Sequence, residues 1–307
     1  MRGDVNTMPL PEAYAALAAS GLVTRLLELA RDEDLGFTGD ATTAACLATD
    51  LTGEGRVVMR DGGVVAGLAA METLCDVFAP ACRATVMVND GERVPADTTL
   101  CVVRGPMREL LALERTMLNL LGRLSGIATL TARYVSAIPP GSRAALYDTR
   151  KTTPGLRVLE KYAVRCGGGR CHRLGLHDAV LIKDNHLAGV PVGSLGTFVA
   201  EASRRARAAG RIAFVEVEVD TLEQFEALLA LPRGVVDIVL LDNMTPDRLR
   251  QAAARRDAAC PWLELEASGG VTLASLPQIA ATGVDRISVG ALTHQAVSLD
   301  VGLDFEA

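Results

Sequence analysis

The part of the chain richest in groups that could bind an anion lies between Arg150 and His186. This window holds eight lysines and arginines against three acidic residues, and three of the chain's four histidines. A guanidinium can clamp a carboxylate through two parallel hydrogen bonds, and a lysine supplies a point charge. Five of these residues fall at predicted ends of elements, and we expect them to bind a small polyanion: Arg150, Lys151, His172, Arg173 and Lys183.

The same window is predicted to contain a helix that begins after Thr153 and ends at Gly167. Thr153 is a favourable N-cap residue, Pro154 fits the first turn, and Gly167 can take the left-handed conformation that ends a helix. Three basic residues are spaced by four along this helix, which predicts that they face solvent: Arg157, Lys161 and Arg165. They are therefore not candidates for the site.

Six apolar segments after about residue 140 predict a parallel β-sheet covered by helices, because each is followed by a helical segment. The segments are 144–149, 179–183, 212–219, 235–241, 262–266 and 286–289. Polar residues follow the strand ends, where barrel enzymes build their sites. We therefore expect the sheet to close into a barrel.

Two of these strands carry acidic residues in an apolar context. Glu216 and Glu218 share one face of a strand because side chains alternate with a period of two, and Glu264 and Glu266 do the same on another strand. Four such acids are too costly to bury unpaired. The sequence therefore predicts cationic partners, a metal ion or water beside them.

Glycine turns follow the last two predicted strands, and both suit a phosphate, because many barrels expose backbone N–H groups at this place. The two turns consist of Ser268, Gly269 and Gly270, and of Val289, Gly290 and Ala291. The sequence contains neither a Walker loop nor a dinucleotide-binding glycine motif after a strand. Nucleoside triphosphates and dinucleotides are therefore disfavoured as ligands.

The first third of the chain predicts an α+β unit built on antiparallel strands. Residues 12–30 have helical spacing, and glycine turns at 61–63 and 89–91 each separate two strand-like segments. A further helix is predicted over 106–123. Its polar face carries Arg108, Arg115, Asn119 and Arg123. Wheel geometry favours a solvated surface there, the alternative being a guanidinium stripe for a ligand or a second subunit.

Composition excludes several classes of protein. The 307 residues are 49% hydrophobic, which argues against disorder, and 31 basic against 37 acidic residues leave a net charge of −6. This balance disfavours nucleic acid and acidic membranes as partners. No run of 18 apolar residues and no apolar secretory segment is present, and the seven cysteines are scattered without a C-x-x-C pair. These features predict a cytoplasmic enzyme with reduced thiols.

Several motifs, in order from about Glu33 to the C-terminus, resemble the quinolinate phosphoribosyltransferase family. They are D-T-R-K-T-T-P-G (148–155), H-R-L-G-L-H (172–177), K-D-N-H (183–186), E-V-E-V-D (216–220), L-L-D-N (240–243), E-A-S-G-G-V (266–271) and V-G-A-L-T-H (289–294). The resemblance implies an N-terminal open α/β sandwich domain over 1–122 and an α/β barrel of about six parallel strands over 123–291. The tail, 292–307, is expected to pack on the first domain.

The resemblance also implies the reaction and its parts. Quinolinate and phosphoribosyl pyrophosphate, with Mg²⁺, would give nicotinate mononucleotide, pyrophosphate and carbon dioxide, a step of NAD biosynthesis. Arg150, Arg173 and Lys183, with His172 beside them, would hold the two carboxylates of quinolinate. Lys151 would neutralise pyrophosphate, Glu218 and Asp242 would meet the ribose hydroxyls and the Mg²⁺ complex, and the two glycine turns would hold the 5-phosphate.

The implied catalytic residues are thus Lys151, Glu218 and Asp242, and Thr149 completes the implied substrate-binding set. The family also implies a head-to-tail homodimer in which Arg115 enters the partner's site. Two departures from its motifs, Cys171 and Ala267, remove no charged contact, and His294 receives no role.

Three other functions remain open on the residues alone. A related phosphoribosyltransferase acting on another aromatic acid, or the paralogue associated with molybdenum transport, is the nearest. A Schiff-base barrel lyase would place its imine lysine at a strand end, where Lys183 lies. A non-catalytic sugar-phosphate binding protein is the third.

Overall fold

The computed structural model describes residues 4–305, and these divide into two compact units. One unit contains the described residues up to Ala132, the segment Lys151–Cys171 and those from Leu292 onward; the other contains Arg133–Arg150 and His172–Ala291. The domains predicted from the sequence, 1–122 and 123–291, are contiguous segments, whereas each of these units contains separate segments of the chain. The predicted boundaries stay a prediction.

The first unit combines helices with a four-stranded antiparallel sheet of order β12-β1-β5-β3. Its helices are α1 (Leu10–Ala18), α2 (Leu22–Leu35), α3 (Ala41–Cys46), α4 (Met71–Phe78), α5 (Met107–Ser136), α6 (Arg157–Cys166) and α12 (Ala291–His294), where α5 ends and α12 begins in residues of the second unit. Its strands are β1 (Thr52–Met59), β2 (Gly63–Val64), β3 (Arg83–Val86), β4 (Arg93–Val94), β5 (Thr98–Pro106) and β12 (Val301–Phe305).

Strand β1 lies between β5 and β12 and pairs antiparallel with both. The end of the chain therefore supplies an edge strand of the first unit's sheet. Across this edge the guanidinium of Arg60 donates to the carboxylate of Asp304, 3.0 Å away through Nη1. The antiparallel sheet confirms the α+β prediction for this unit.

The two strand segments that the turn at 61–63 separates do not pair with each other, because β2 pairs with β4 while β1 pairs with β5 and β12. The segments flanking 89–91 do pair, since β3 lies antiparallel to β5. Asp90 is not a simple turn residue: its carboxylate accepts the backbone N–H groups of Leu68 and Ala69, each 2.9 Å away, and the hydroxyl of Tyr162. These long-range hydrogen bonds decide the path of the chain there.

The helix predicted over 12–30 is divided, because Gly21 between α1 and α2 has a left-handed φ of 71°. Helix α5 is longer than predicted and has 30 residues. Its polar face is not uniformly solvated: Arg108 donates to the carbonyl of Leu47, and Arg123 donates to the carboxylate of Glu160 at 2.9 Å. Arg115, by contrast, has a side chain that is 66% exposed.

Helix α6 begins at Arg157, three residues later than Thr153 and Pro154 predict. The buried carboxylate of Glu160 accepts hydrogen bonds from both the N–H and the hydroxyl of Thr153, each at 3.0 Å, which holds Thr153 outside the helix. Gly167 has φ −76°, and Gly168 takes the left-handed conformation instead, with φ 83°.

The expectation that Lys161 faces solvent is wrong, because its side chain is almost fully buried. Burial on α6 covers most of the helix and does not follow one apolar stripe. Spacing by four therefore does not predict exposure on a helix that the rest of its unit surrounds.

The second unit is a six-stranded parallel sheet of order β6-β11-β10-β9-β8-β7 with helices after its strands. Its strands are β6 (Ala145–Tyr147), β7 (Val180–Ile182), β8 (Val215–Val219), β9 (Ile238–Asp242), β10 (Glu264–Ser268) and β11 (Arg286–Ser288). Its helices are α7 (Asp184–Leu187), α8 (Val192–Ala209), α9 (Leu222–Leu229), α10 (Pro246–Ala259) and α11 (Leu276–Ala280). Each predicted strand is present, so the predicted fold class is confirmed.

The sheet curves around a polar interior. In a flat sheet, side chains two strands apart are separated by about 10 Å. Here Glu216 of β8 and Glu266 of β10 both lie within 3.3 Å of one ring nitrogen of His172. The guanidinium of Arg286 lies 3.9 Å from the ring of Tyr147 and 5.3 Å from that of Phe214. Side chains from β6, β8, β10 and β11 therefore meet inside a barrel.

Within residues 4–305 no single helix is long and apolar enough to cross a membrane. Helices α1 and α2 together reach that length and apolar composition, but they are bent by 71° relative to each other. All seven cysteines have free thiols, and all but Cys46 are buried. The prediction of unpaired cysteines is confirmed.

Arg256 of α10 ties this helix to the entry of two barrel strands. Its side chain is fully buried and donates to the carbonyls of Leu263 at 2.8 Å and Gly283 at 3.0 Å. It also forms an ion pair with Asp285. The neighbouring Arg255 is exposed and pairs with Glu226 on the surface.

We expect Arg256→Met to lower the free energy of unfolding by about 3 kcal/mol, because it removes the cation of a buried ion pair and the donor to two carbonyls. The matched surface change Arg255→Met should cost less than about 1 kcal/mol. Urea unfolding followed by circular dichroism measures both. Equal losses in the two variants would contradict the role assigned to Arg256.

Candidate functional site

The predicted site residues of the second unit lie at the carboxyl ends of its strands. Thr149 and Arg150 follow β6, and Lys183 follows β7. Glu218 is the last residue but one of β8, and Asp242 and Ser268 are the last residues of β9 and β10. Val289, Gly290 and Ala291 follow β11, Lys151 follows Arg150 directly and is exposed, and Arg115 belongs to the first unit. The parallel topology brings the second unit's residues to one edge of the barrel.

Lys183 and Glu218 form an ion pair between the ends of two neighbouring strands. The ammonium of Lys183 contacts the carboxylate of Glu218, whose side chain is only 9% exposed, while that of Lys183 is 41% exposed. Both residues were predicted to belong to the site, and the pair is also the cationic partner that Glu218 was expected to need.

The turns after β9 and β10 support one another. The backbone N–H of Asn243 donates to the carbonyl of Ser268 at 2.9 Å, and its side-chain amide donates to Asp242 at 2.6 Å. Asn243 has a φ of 51° and Gly269 a φ of 93°, both in the left-handed region. A Cβ on Gly269 would lie 2.2 Å from Oδ1 of Asn243, so only glycine fits there.

The turn after β11 is held by β6, because the N–H of Val289 donates to the carbonyl of Tyr147 at 3.0 Å. Gly290 and Ala291 follow at the same edge of the barrel as Ser268 and Gly269. The two glycine turns that the sequence predicts as a phosphate site therefore come from neighbouring strands.

The segment His172–Gly175 has no regular secondary structure, yet each of its four backbone N–H groups has a side-chain acceptor. The N–H of His172 donates to Asp148 at 2.8 Å, and that of Arg173 donates to Nδ1 of His172 at 2.7 Å. The N–H groups of Leu174 and Gly175 donate to Asp178 at 2.7 and 2.9 Å. Three side chains thus determine how this loop presents Arg173.

His172 points into the barrel interior, with Nε2 3.0 Å from Oε2 of Glu216 and 3.3 Å from Oε1 of Glu266. Burial lowers the pKa of His172, but the carboxylates of Glu266 and Glu216 outweigh it and raise the pKa to about 10. The Arg173 N–H can donate to Nδ1 only when the ring is neutral with its proton on Nε2, so this hydrogen bond opposes the effect of the carboxylates on the pKa of His172. Nε2 therefore carries a proton between the two carboxylates in either state.

The two carboxylates differ in their environment. Burial and the charge of Glu266 raise the pKa of Glu216. Burial acts in the same direction on Glu266, but the charges of His172 and Arg286 outweigh it and hold the pKa of Glu266 at about 2. The Nε of Arg286 lies 2.8 Å from the Glu266 carboxylate. The prediction that these acids need cationic partners is confirmed for Glu266.

The donor atoms of His172, Glu216 and Glu266 lie within 4.8 Å of one another, which is the spacing of a metal site. Arg286 already supplies a positive charge at 2.8 Å from Glu266, and His172 supplies a second when protonated. A divalent ion would add charge to a group that these residues neutralise. The cluster is therefore an ion-pair network in the barrel interior.

Arg173 and Arg150 form the cationic part of the site. Burial and the nearby charge of Arg150 lower the pKa of Arg173, while the charges of Glu216 and Asp178 act in the opposite direction. Arg173 is 9% exposed. Two guanidinium groups whose charges repel one another are stabilised by an anion that binds both.

Sequence reasoning missed Asp178 and Arg286, and it placed Asn243 at a strand end without giving it a role. The D-N pair at 242–243 was a signal for Asn243, but its positive φ follows from tertiary contacts. Arg286 stood in a predicted strand and was not considered as a partner for Glu266. Asp178 acts through a loop whose path no periodicity predicts.

The fold and this site define an α/β-barrel enzyme that binds small anions at the carboxyl edge of its strands. Family models describe the chain in two parts, with the quinolinate phosphoribosyl transferase N-terminal domain matching residues 40–125 and the C-terminal domain matching residues 127–304. The chain therefore belongs to the quinolinate phosphoribosyltransferase family.

Individual relatives agree with this assignment. The chain is 46% identical over 274 residues to a carboxylating nicotinate-nucleotide pyrophosphorylase from Mycobacterium leprae, covering 89% of this chain and 93% of the relative. A solved nicotinate-nucleotide pyrophosphorylase from Francisella tularensis matches with a TM-score of 0.81 at 34% identity, over 99% of both chains. The corresponding structure from Ehrlichia chaffeensis has a TM-score of 0.79 at 34% identity and covers 92% of this chain and 98% of its own.

We expect Gly269→Ala to lower the free energy of unfolding by about 3 kcal/mol, because the new Cβ meets Asn243 in a backbone conformation that L residues avoid. Gly270→Ala is the matched control, since its Cβ would meet no atom within 4 Å and only its φ of 59° is unfavourable. It should cost about 1 kcal/mol. Chemical denaturation of both variants tests this, and an equal cost would show that Asn243 yields without penalty.

Proposed function

We propose that this chain transfers the phosphoribosyl group of phosphoribosyl pyrophosphate to quinolinate with loss of carbon dioxide, giving nicotinate mononucleotide and pyrophosphate for NAD biosynthesis. The observation that carries the proposal is that Arg150 and Arg173, of which Arg173 is buried, lie at the carboxyl edge of the barrel of this family and that their charges act on one another. Quinolinate has two adjacent carboxylates, and paired guanidinium groups with a lysine suit such a ligand.

In this proposal the cationic residues bind quinolinate. Arg150, Arg173 and Lys183 hold the two carboxylates, and His172 lies beside them. Both ring nitrogens of His172 contact other groups of the chain, so it contributes mainly by shaping the pocket. Thr149 completes this side of the substrate-binding set.

The remaining residues serve the phosphoribosyl pyrophosphate. Ser268, Gly269 and Gly270, with Val289, Gly290 and Ala291, supply the two turns for the 5-phosphate. Glu218 and Asp242 face the ribose, and the exposed Lys151 neutralises the departing pyrophosphate. The positions of these groups at the strand ends support the assignment.

The transfer step needs no protein nucleophile. The ring nitrogen of quinolinate attacks the anomeric carbon as the bond to pyrophosphate breaks, so the transition state has oxocarbenium character. The carboxylates of Glu218 and Asp242 favour positive charge at the ribose, and Lys151 favours negative charge on the leaving group. The contribution of the protein is therefore positioning and electrostatics.

Loss of carbon dioxide follows from the substrate's own electronics. Once the ring nitrogen is quaternised, the bond between the ring and the adjacent carboxylate breaks and its electron pair stays on the ring carbon, which then takes a proton. The guanidinium groups keep the pyridinium in place during this step.

Mg²⁺ is the metal proposed for this reaction. The carboxylates of Glu218 and Asp242 are hard oxygen donors on neighbouring strands, which is the donor type that Mg²⁺ prefers together with substrate phosphates. Lys183 already contacts Glu218, and Asn243 donates to Asp242, so both acids retain only part of their lone pairs for a metal complex. The ion would supply charge neutralisation at the pyrophosphate.

The alternative of a Schiff-base lyase at Lys183 has less support. An imine-forming lysine needs its amine available to attack a carbonyl, whereas the amine of Lys183 contacts the carboxylate of Glu218. A phosphoribosyltransferase acting on another aromatic acid would use the same residues, so only the identity of the substrate distinguishes it from the proposed enzyme.

Two further proposals concern assembly and location. We infer a head-to-tail homodimer in which Arg115 of each protomer completes the site of its partner, supported by the exposed guanidinium of Arg115 on a helix face where Arg108 and Arg123 bind other groups of the chain. We also infer a cytoplasmic location, supported by seven free thiols, which an oxidising compartment does not favour.

Steady-state assays with quinolinate and with nicotinate test the main proposal. With Mg²⁺ and phosphoribosyl pyrophosphate we expect turnover of quinolinate with one carbon dioxide released per pyrophosphate, and chelation of Mg²⁺ should abolish it reversibly. Preference for nicotinate, or turnover without carbon dioxide, would contradict the proposal. Borohydride should trap no substrate on Lys183, and a trapped adduct would favour the lyase.

Mixed dimers test the role of Arg115. Arg115→Ala and Lys183→Ala should each be nearly inactive alone, whereas a mixture that exchanges subunits should recover up to about a quarter of the activity, because one of the two sites in a mixed dimer is again complete. No recovery after subunit exchange, confirmed by mass spectrometry, would contradict a shared site.

A further inference from the structure

The strands of the barrel contain two fully buried carboxylates that the proposed chemistry does not use. Glu216 of β8 and Glu266 of β10 have no exposed surface. Both oxygens of Glu216 and Oε1 of Glu266 accept no hydrogen bond from the described part of the chain. Their shared neighbour is Nε2 of His172, at 3.0 and 3.3 Å.

Such an arrangement is expensive if its only role is to hold the fold. Burying an ion costs several kcal/mol, and apolar replacements of buried ion pairs are often neutral or stabilising. The outward face of the same strands consists of apolar residues such as Val217 and Leu265. Because both acids lie beside His172, a residue of the site, we expect them to have a functional role.

His172 connects these acids to Arg173. In the neutral ring Nδ1 accepts the N–H of Arg173 at 2.7 Å on one side, and the protonated Nε2 lies between the two carboxylates on the other. A ring flip would exchange each nitrogen for a carbon and lose both contacts together. The carboxylates therefore select the ring orientation that binds the backbone of Arg173.

The orientation matters because Arg173 has an unfavourable neighbour. Arg150 repels its guanidinium, and the segment His172–Gly175 lacks regular secondary structure that would resist this repulsion. Besides the His172 contact, only the hydrogen bonds to Asp148 and Asp178 hold the N–H groups of this segment. Loss of the ring contact would leave Arg173 free to move away from Arg150.

We propose that Glu216 and Glu266 are positioning residues that act through His172 to hold Arg173 against Arg150 in the quinolinate pocket. This inference rests on the proposed function, since it assigns Arg173 to a carboxylate of that substrate. Glu266 is held in turn by Arg286, which lies over Tyr147. The interior network thus extends from β11 to the rim of the barrel.

Glu216→Leu tests the proposal, because it removes one carboxylate while Glu266 keeps its partner Arg286. We expect the KM and the dissociation constant for quinolinate to rise about 10-fold or more, as for other residues that orient a binding group. The KM for phosphoribosyl pyrophosphate should change less than about 2-fold, and Glu216→Gln, which keeps an acceptor beside Nε2, should restore most of the affinity.

Glu264→Leu is the matched control, because Glu264 lies on the same face of β10, contacts Arg286 at 3.5 Å and is half exposed. It should leave both KM values within about 2-fold of the unmodified chain. If Glu216→Leu does not fold by circular dichroism, Glu216→Met replaces it in the same comparison.

The outcomes separate the two proposals. If the unmodified chain neither binds nor turns over quinolinate, the proposed function fails and this inference fails with it. If the unmodified chain turns over quinolinate, a folded apolar variant at Glu216 decides the positioning role. That role alone is overturned if the variant leaves the KM and the dissociation constant for quinolinate unchanged, or changes the KM values of both substrates equally.

Discussion

The contact between one buried imidazole and two buried carboxylates is the constraint on which the second unit depends. Glu216 and Glu266 come from strands that are not neighbours, so a single ring can contact both only if the sheet curves around it. Their charges require Arg286 in the interior, and the ring nitrogen that they leave available holds the backbone of Arg173. The curvature of the sheet, the buried charges and the position of Arg173 therefore depend on the same set of contacts.

This arrangement explains how an acidic chain holds an anion. The net charge is −6, yet the window 150–186 carries a surplus of five positive charges. Burial and the charge of Arg150 lower the pKa of Arg173, and the charge of Glu216 in the barrel interior acts against them. The buried acids therefore offset part of the repulsion between the cations at the rim of the barrel.

Much of the candidate site was accessible to sequence reasoning because it depends on local rules. The period of two placed Glu216 with Glu218 and Glu264 with Glu266, and the end of each apolar run placed Lys183, Asp242 and Ser268 at one edge. Reasoning failed where distant groups compete for the same atoms. Thr153 donates to Glu160 and does not cap α6, and Asp90 accepts N–H groups that are 21 and 22 residues away in the sequence. Lys161 is buried although its spacing predicts an exposed side chain.

The sequence by itself determined the fold class, the six parallel strands, the edge that carries the polar groups and the family to which the chain belongs, because alternation and motifs are properties of contiguous residues. Only the tertiary structure decided that β12 completes the first sheet, that His172 turns inward between two carboxylates and that Asn243 excludes any side chain at Gly269. These outcomes depend on distances between residues far apart in the chain, which local pattern does not encode.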